Sequence, residues 1–76
     1  MLEEELRKET LKWLMKIESE RLKEKNGKGK MALENISAYV KDSRHFLGSK
    51  DLIRAFEAVI WAWAFLEIHR ELGNLE

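Results

Sequence analysis

Apolar residues recur at steps of three and four along three segments of this 76-residue chain, and no proline interrupts any of them. Such steps return each apolar side chain to the same side of an α-helix, which has 3.6 residues per turn. Proline is the residue that most often ends or kinks a helix, so its absence favours long helices. The pattern predicts an all-α fold with three helices, at about residues 2–25, 31–47 and 50–72.

The first segment places one apolar stripe on a helix, formed by Leu2, Leu6, Leu11, Trp13, Leu14, Ile17 and Leu22. Acidic residues at its start, with Lys23 and Lys25 at its end, suit the helix dipole and extend the predicted helix to about residue 25. The glycines in residues 26–30 then break the periodicity, and glycine after a basic last turn is a common helix stop. We therefore predict a short turn at 26–30 between antiparallel helices.

The second and third segments predict a helical hairpin. The second has one apolar face and ends near Gly48, and either Ser49 or Asp51 is suited to cap the next helix. Because the connection is so short, these two helices must run antiparallel. With the first helix, they predict an up-down antiparallel three-helix bundle that forms a single domain over residues 1–76.

The third segment is apolar nearly all round, whereas a helix in a three-helix bundle has only two neighbours. One stripe is formed by Leu52, Phe56, Val59, Trp63 and Leu66. A second, on roughly the opposite side, is formed by Trp61, Phe65, Ile68 and Leu72. Two interpretations of the second stripe stay open. It either completes the core against the first helix, or it is an exposed patch of the kind that marks interaction sites.

Composition narrows the classes of function. The 14 basic and 14 acidic residues balance, so the whole chain has no electrostatic footprint for nucleic acid or membranes. Glu and Lys dominate, which favours a thermophilic source. The acidic N-terminus predicts no signal peptide, and the longest apolar run, residues 58–66, is too short to cross a bilayer. We expect a cytoplasmic protein.

One local basic cluster stands out against that balance. It contains Arg21, Lys23, Lys25, Lys28 and Lys30, opposed within the cluster only by Glu24. Its two glycines do not have the spacing of a phosphate-binding loop, and no strand precedes it. The cluster is either a solvated loop or a weak contact for a polyanion such as RNA or DNA.

The titratable residues give no catalytic or metal-binding pattern. His45 is expected by the turn that precedes the third helix, and His69 near the far end of that helix, about 25 Å away and too far to share a metal ion. Asp42, Glu57 and Glu67 interrupt apolar stretches, and charged residues at such positions usually lie on the surface. No nucleophile, base and orienting group occur at usable spacing. We expect no enzyme activity, no cofactor, no metal and no small-molecule substrate.

One stretch resembles a known family. Residues 38–57 read AYVKDSRHFLGSKDLIRAFE, and residues 61–67 continue as WAWAFLE. An aromatic-rich helix, a tight glycine-containing turn and a helix opening with Arg-Ala-Phe-Glu resemble the short archaeal proteins of the domain of unknown function 357 family. The resemblance implies an archaeal helical bundle and no particular activity. It covers the second and third helices well, and the first only in its Leu, Glu and Lys character.

The sequence therefore leads to two hypotheses of different classes. The first is an interaction or scaffold module that self-associates through the stripe of Trp61, Phe65, Ile68 and Leu72, most simply as a homodimer. The alternative is weak nucleic-acid binding through residues 21–30. Another protein could occupy the same apolar stripe.

Overall fold

The chain forms three α-helices in a computed structural model that describes all 76 residues. They are α1 (Leu2–Glu18), α2 (Gly27–Gly48) and α3 (Leu52–Glu71). They pack side by side into a rod about 42 Å long. None of the three helices combines the length and the hydrophobicity that are needed to span a bilayer.

The contacts between helices give the direction in which each one runs. The ring of Trp13 in α1 lies against that of Trp63 in α3, and Arg70, near the end of α3, binds the carboxylate of Glu20, just beyond α1. These contacts make α1 and α3 parallel. The tight turn at residues 49–51 makes α2 antiparallel to α3. The predicted all-α, up-down three-helix bundle is confirmed.

Helix α3 is the centre of the bundle, because it packs on both other helices while α1 and α2 contact each other little. Its most deeply buried positions include three alanines, Ala55, Ala58 and Ala62. Side chains this small let neighbouring helices approach closely. The two larger buried residues of α3 are Val59 and Leu66. The core is completed by Leu14, Ile17, Ala32, Ile36, Leu47 and Leu75.

Two hydroxyl groups are fully buried, and both donate to backbone carbonyls. Ser43 Oγ donates to the carbonyl of Ala55 at 2.7 Å, which ties α2 to α3. Thr10 Oγ1 donates to the carbonyl of Leu6 within α1 at 2.8 Å. A buried polar group without a partner is costly, so these bonds allow both residues to occupy the interior.

The first helix ends at Glu18, so the predicted extension to residue 25 is wrong. The hydroxyl of Ser19 donates to the carbonyl of Lys16 at 2.7 Å and helps to end the helix. Beyond it, residues 20–26 are not helical, and Leu22 still packs against the core. Leu22 fits the apolar spacing of the first helix because it is a core residue, although its backbone is not helical.

The segment after α1 pairs with the residues that follow α3. The amide of Lys25 donates to the carbonyl of Asn74 at 3.0 Å, and the amide of Glu76 donates to the carbonyl of Lys23 at 2.9 Å. We call residues 23–26 and 73–76 the clasp. Gly73, at φ +80°, lets the chain leave α3 in the left-handed region that favours glycine.

The second helix begins at Gly27, so the predicted turn at 26–30 is also wrong. Asn26 is its N-cap: Oδ1 accepts the amide of Gly29 at 2.8 Å, and Nδ2 donates to Asn74 Oδ1 at 3.0 Å. The two glycines therefore lie in the first turn of α2. At the other end of α2, Asp51 caps α3 by accepting the amide of Arg54 at 3.2 Å, as one of the two predicted caps.

Gly29 lies where the clasp crosses α2. A Cβ atom at this position would lie 2.0 Å from the backbone oxygen of Asn74, which is far inside van der Waals contact. Gly27, two residues earlier, has no atom within 4 Å of the point where its Cβ would lie. Only one of these two helical glycines is therefore required by packing.

We expect Gly29→Ala to lower the free energy of unfolding by about 1–3 kcal/mol, the usual range for forcing extra atoms into a packed site. Gly27→Ala is the matched control, and it should leave stability unchanged or raise it by up to about 1 kcal/mol through helix propensity. Urea unfolding followed by far-UV circular dichroism measures both. Equal effects of the two substitutions would contradict the close approach of Asn74.

Candidate interaction surface

Large apolar side chains are exposed along one side of α3. Their exposed fractions are 67% for Ile53, 41% for Ile60, 56% for Trp61, 54% for Ile68 and 67% for Leu72, the C-cap residue. At 100° per residue these five positions fall within an arc of about 120°, and the stripe is about 28 Å long. We call these five residues the α3 face.

Phe65 borders the α3 face and is only half-buried. Its ring centroid lies 5.6 Å from that of Tyr39 in α2 and 6.0 Å from that of His69. Trp61 also stacks on Tyr39, with the two ring centroids 6.3 Å apart. The stripe that the sequence singled out therefore borders α2. The interpretation that it fills the core against α1 is wrong, since Trp61, Ile68 and Leu72 are exposed.

The contact between α3 and α1 uses a different tryptophan. Trp63 meets Trp13 edge-on at 5.7 Å, and its Nε1–H donates to the carbonyl of Trp13 at 3.1 Å. The ammonium of Lys16 lies 4.8 Å from the centroid of the Trp13 ring, within cation–π range. Two tryptophans that are two residues apart on α3 thus have different environments, one packed and one exposed.

The α3 face continues towards the start of α3. An open apolar depression there is lined by Leu2 and Leu6 of α1 together with Leu52 and Ile53. Ile53 belongs to both the depression and the α3 face. Sequence reasoning missed Ile53 and Ile60, although both lie on the outward side of a helical wheel whose buried side is marked by Ala55, Ala58 and Ala62.

The two histidines have separate structural surroundings. His45 lies edge-on to Phe46 at 5.6 Å. His69 stacks on Phe65, and its Nδ1 lies 3.0 Å from the side-chain nitrogen of Asn74 in the clasp. The carboxylates of Asp42, Glu57 and Glu67 are exposed. No three of the chain's His, Asp and Glu side chains cluster so as to hold a metal ion.

The basic cluster is spread over two kinds of backbone. Arg21, Lys23 and Lys25 lie in the non-helical segment, whereas Lys28 and Lys30 lie in the first turn of α2, and all five are exposed. Lys23 is the one with an acidic neighbour, Glu76 at 4.0 Å. The first turn of α2 contains no acidic residue. Cations are unfavourable at a helix N-terminus, which favours an anionic partner for them. We call these five basic residues the positive pole, and Glu24 and Glu76 lie beside them.

An ion pair links α1 to α2 away from these surfaces. Arg44 Nε donates to Glu18 Oε2 at 2.7 Å, and Nη2 donates to the other oxygen. These hydrogen bonds lower the pKa of Glu18 below its ordinary 4.5, because they favour the charged carboxylate. The pair stabilises the fold at neutral pH, and this contribution is lost as the pH falls through that lowered pKa. Both groups are substantially exposed, so the contribution is small.

The model of the family described as "Protein of unknown function (DUF357)" matches residues 1–75. The chain belongs to the DUF357 family. The match includes α1, for which the sequence offered only a resemblance in composition. The crystal structure of the DUF357 protein AF1782 from Archaeoglobus fulgidus is 51% identical and superimposes with a TM-score of 0.91. The similarity covers 100% of this chain and 97% of the other. No curated protein matches the chain.

The DUF357 match supports the archaeal resemblance and the helical fold, and the family itself has no known activity. What the chain can do must therefore be inferred from its own surfaces. The candidates are the α3 face and the positive pole at the start of α2.

Trp61 and Trp63 give a direct test of which side of α3 is packed and which is exposed. We expect Trp63→Ala to lower the free energy of unfolding by about 2–4 kcal/mol, because it removes a packed ring and its hydrogen bond to Trp13. Trp61→Ala should cost less than about 1 kcal/mol, as is usual for exposed positions. Urea unfolding at low protein concentration measures both. A larger loss from Trp61→Ala would place its ring in the core.

Proposed function

We propose that this DUF357 protein is an interaction module that associates with a second copy of itself through the α3 face. The observation that supports this proposal is the exposure of five large apolar side chains on one side of a single helix. Isolated exposed apolar residues are normal on proteins, whereas contiguous apolar patches on small domains mark interaction sites.

The size of the chain gives a second reason for association. A domain of this length buries a smaller share of its surface than a larger one and commonly needs disulfides, metals or oligomerisation for stability. The sequence has no cysteine. Covering the α3 face would remove apolar side chains from water and so stabilise both copies, at about 25 cal/mol per Å² of apolar surface.

A second copy is the simplest partner because a two-fold interface uses the same surface on both sides. The net charge of zero also places no overall electrostatic repulsion between two copies. Trp61, at the middle of the stripe, is the residue type that most often anchors an interface. Its stacking on Tyr39 holds the ring in place before any partner arrives.

We expect light scattering behind size exclusion to give a mass that rises from monomer to dimer with concentration. Ile68→Glu should shift the protein to monomer, because it places a charge in the middle of an apolar contact. Met15→Glu is the matched control: Met15 is 66% exposed, but on α1. Helical content should be unchanged in both variants. A wild-type protein that stays monomeric at all concentrations would refute self-association.

The second candidate function is binding of a polyanion such as RNA at the positive pole. It is supported by the five exposed basic side chains and by the first turn of α2, which has no acidic residue. Amide groups at a helix N-terminus also favour anions. Contacts of this kind bind phosphates without regard to base sequence.

For this candidate we expect weak RNA binding whose affinity falls steeply as salt is raised, since bound counterions are released. Lys28→Glu with Lys30→Glu should abolish it. The matched control is Lys8→Glu with Lys12→Glu, which makes the same change in net charge beside Glu5 and Glu9 on α1. Fluorescence anisotropy with a labelled single-stranded RNA measures the affinity. Equal losses in both double variants would show that only net charge matters.

A further inference from the structure

A chain of hydrogen bonds between side chains joins the clasp to α3. Asn26 Nδ2 donates to Asn74 Oδ1 at 3.0 Å, and Asn74 Nδ2 lies 3.0 Å from His69 Nδ1. At its other end the chain is anchored to backbone, because Asn26 Oδ1 accepts the amide of Gly29 at 2.8 Å. Asn74 is 7% exposed, so water has little access to its side chain. These groups therefore depend on one another for their hydrogen bonds.

The backbone end of this chain fixes the direction of every bond in it. A backbone amide can only donate, so it meets the oxygen of Asn26, and the nitrogen of Asn26 faces Asn74. The facing atom of Asn74 must then be its oxygen, which leaves its nitrogen to donate to His69. His69 Nδ1 therefore accepts a hydrogen bond, and this requires a neutral ring with its proton on Nε2.

A protonated His69 cannot join this chain. Both nitrogens of an imidazolium ring are donors, so Nδ1–H would face the NH2 group of Asn74. Turning the amide group of Asn74 over would place two NH2 groups against each other at Asn26. Turning Asn26 over as well would direct its NH2 group at the amide of Gly29. At least one hydrogen bond is lost in each of these arrangements.

No acidic group pairs with the His69 ring. Its direct side-chain contacts are Asn74 and the ring of Phe65, both uncharged, and no salt bridge joins it to a carboxylate. The next residue, Arg70, is bound to Glu20. The other titratable groups around His69 come from α2, behind Phe65, from the clasp and from the first turn of α2: Tyr39, Lys23, Glu24, Lys25, Glu76, Lys28 and Lys30. A proton on His69 therefore has no anionic partner to offset the lost hydrogen bond.

We propose that His69 makes the clasp a pH-sensitive switch, which is closed when the ring is neutral and loosened when the ring is protonated. Histidine is the side chain that ordinarily changes charge between about pH 5 and 8. Since the open clasp accepts a proton on His69 more readily than the closed one, a fall in pH through this range favours opening. Opening withdraws Leu75 from the core and Glu76 from Lys23. The switch does not depend on self-association, because it uses no residue of the α3 face.

The position of the proton on His69 can be observed directly. Long-range correlation spectra between ring protons and ring nitrogens, recorded at about pH 8 where histidine is ordinarily neutral, show which nitrogen of each imidazole is protonated. We expect the proton of His69 on Nε2, because Nδ1 accepts from Asn74. A proton on Nδ1 would contradict the bond directions and overturn the proposal.

Opening of the clasp is measured by exchange of the amides of Lys25 and Glu76, which donate across it. Their protection, relative to an unstructured peptide at the same pH, should fall about tenfold between about pH 8 and pH 5, the effect of losing one hydrogen bond. His69→Gln should abolish this pH dependence, because glutamine offers an oxygen to Asn74 and does not titrate.

His45→Gln is the matched control, since it removes the other of the two histidines. It should keep the wild-type pH dependence of the clasp amides. The carboxylates titrate at lower pH and do not contribute in this range. The proposal would be overturned by wild-type protection that is the same at both pH values, by a fall that persists in His69→Gln, or by a fall that His45→Gln removes.

Discussion

The close packing of α3 on both of its neighbours is the constraint on which the rest of the structure depends. Alanines at positions 55, 58 and 62 bring α1 and α2 near the axis of α3, and Ser43 bonds directly to its backbone. A helix with only two neighbours still has a side that neither one covers. In this chain that side carries isoleucine, tryptophan and leucine, with the exposed Glu57 among them. The α3 face is therefore a consequence of a helix made apolar nearly all round within a bundle of three.

The fold was predictable because it depends on local periodicity, and the clasp was not because it depends on distant pairing. Steps of three and four mark all three helices, and Asp51 is a recognisable cap. Nothing near Leu22 shows that it packs in non-helical backbone. The need for glycine at position 29 comes from Asn74, which lies far along the sequence. The sequence thus shows that a helix boundary lies at 26–30. The glycines there begin α2, whereas the sequence pattern predicted that they end the first helix.

The sequence predicted three of the five residues of the α3 face and missed Ile53 and Ile60, because it does not show where the neighbouring helices lie. A helical wheel gives the direction in which each side chain of α3 leaves the axis, but it does not give the directions in which α1 and α2 lie. The contact of Tyr39 with Trp61 and Phe65 supplies that information. It explains why Phe65 is half-buried although the sequence groups it with Trp61. The buried alanines were the overlooked signal, because small residues on one side mark where neighbours approach.

The clasp has a consequence for the order in which the protein matures during synthesis. Asn26 caps α2 early in the chain, yet its side chain also bonds to Asn74, and Leu75 fills part of the core. A ribosome releases residues 74 and 75 long after it has released α1 and α2. Until then the nascent chain has an unfilled core position and an N-cap with one partner missing. Residues 74 and 75 therefore complete packing that the first half of the chain began.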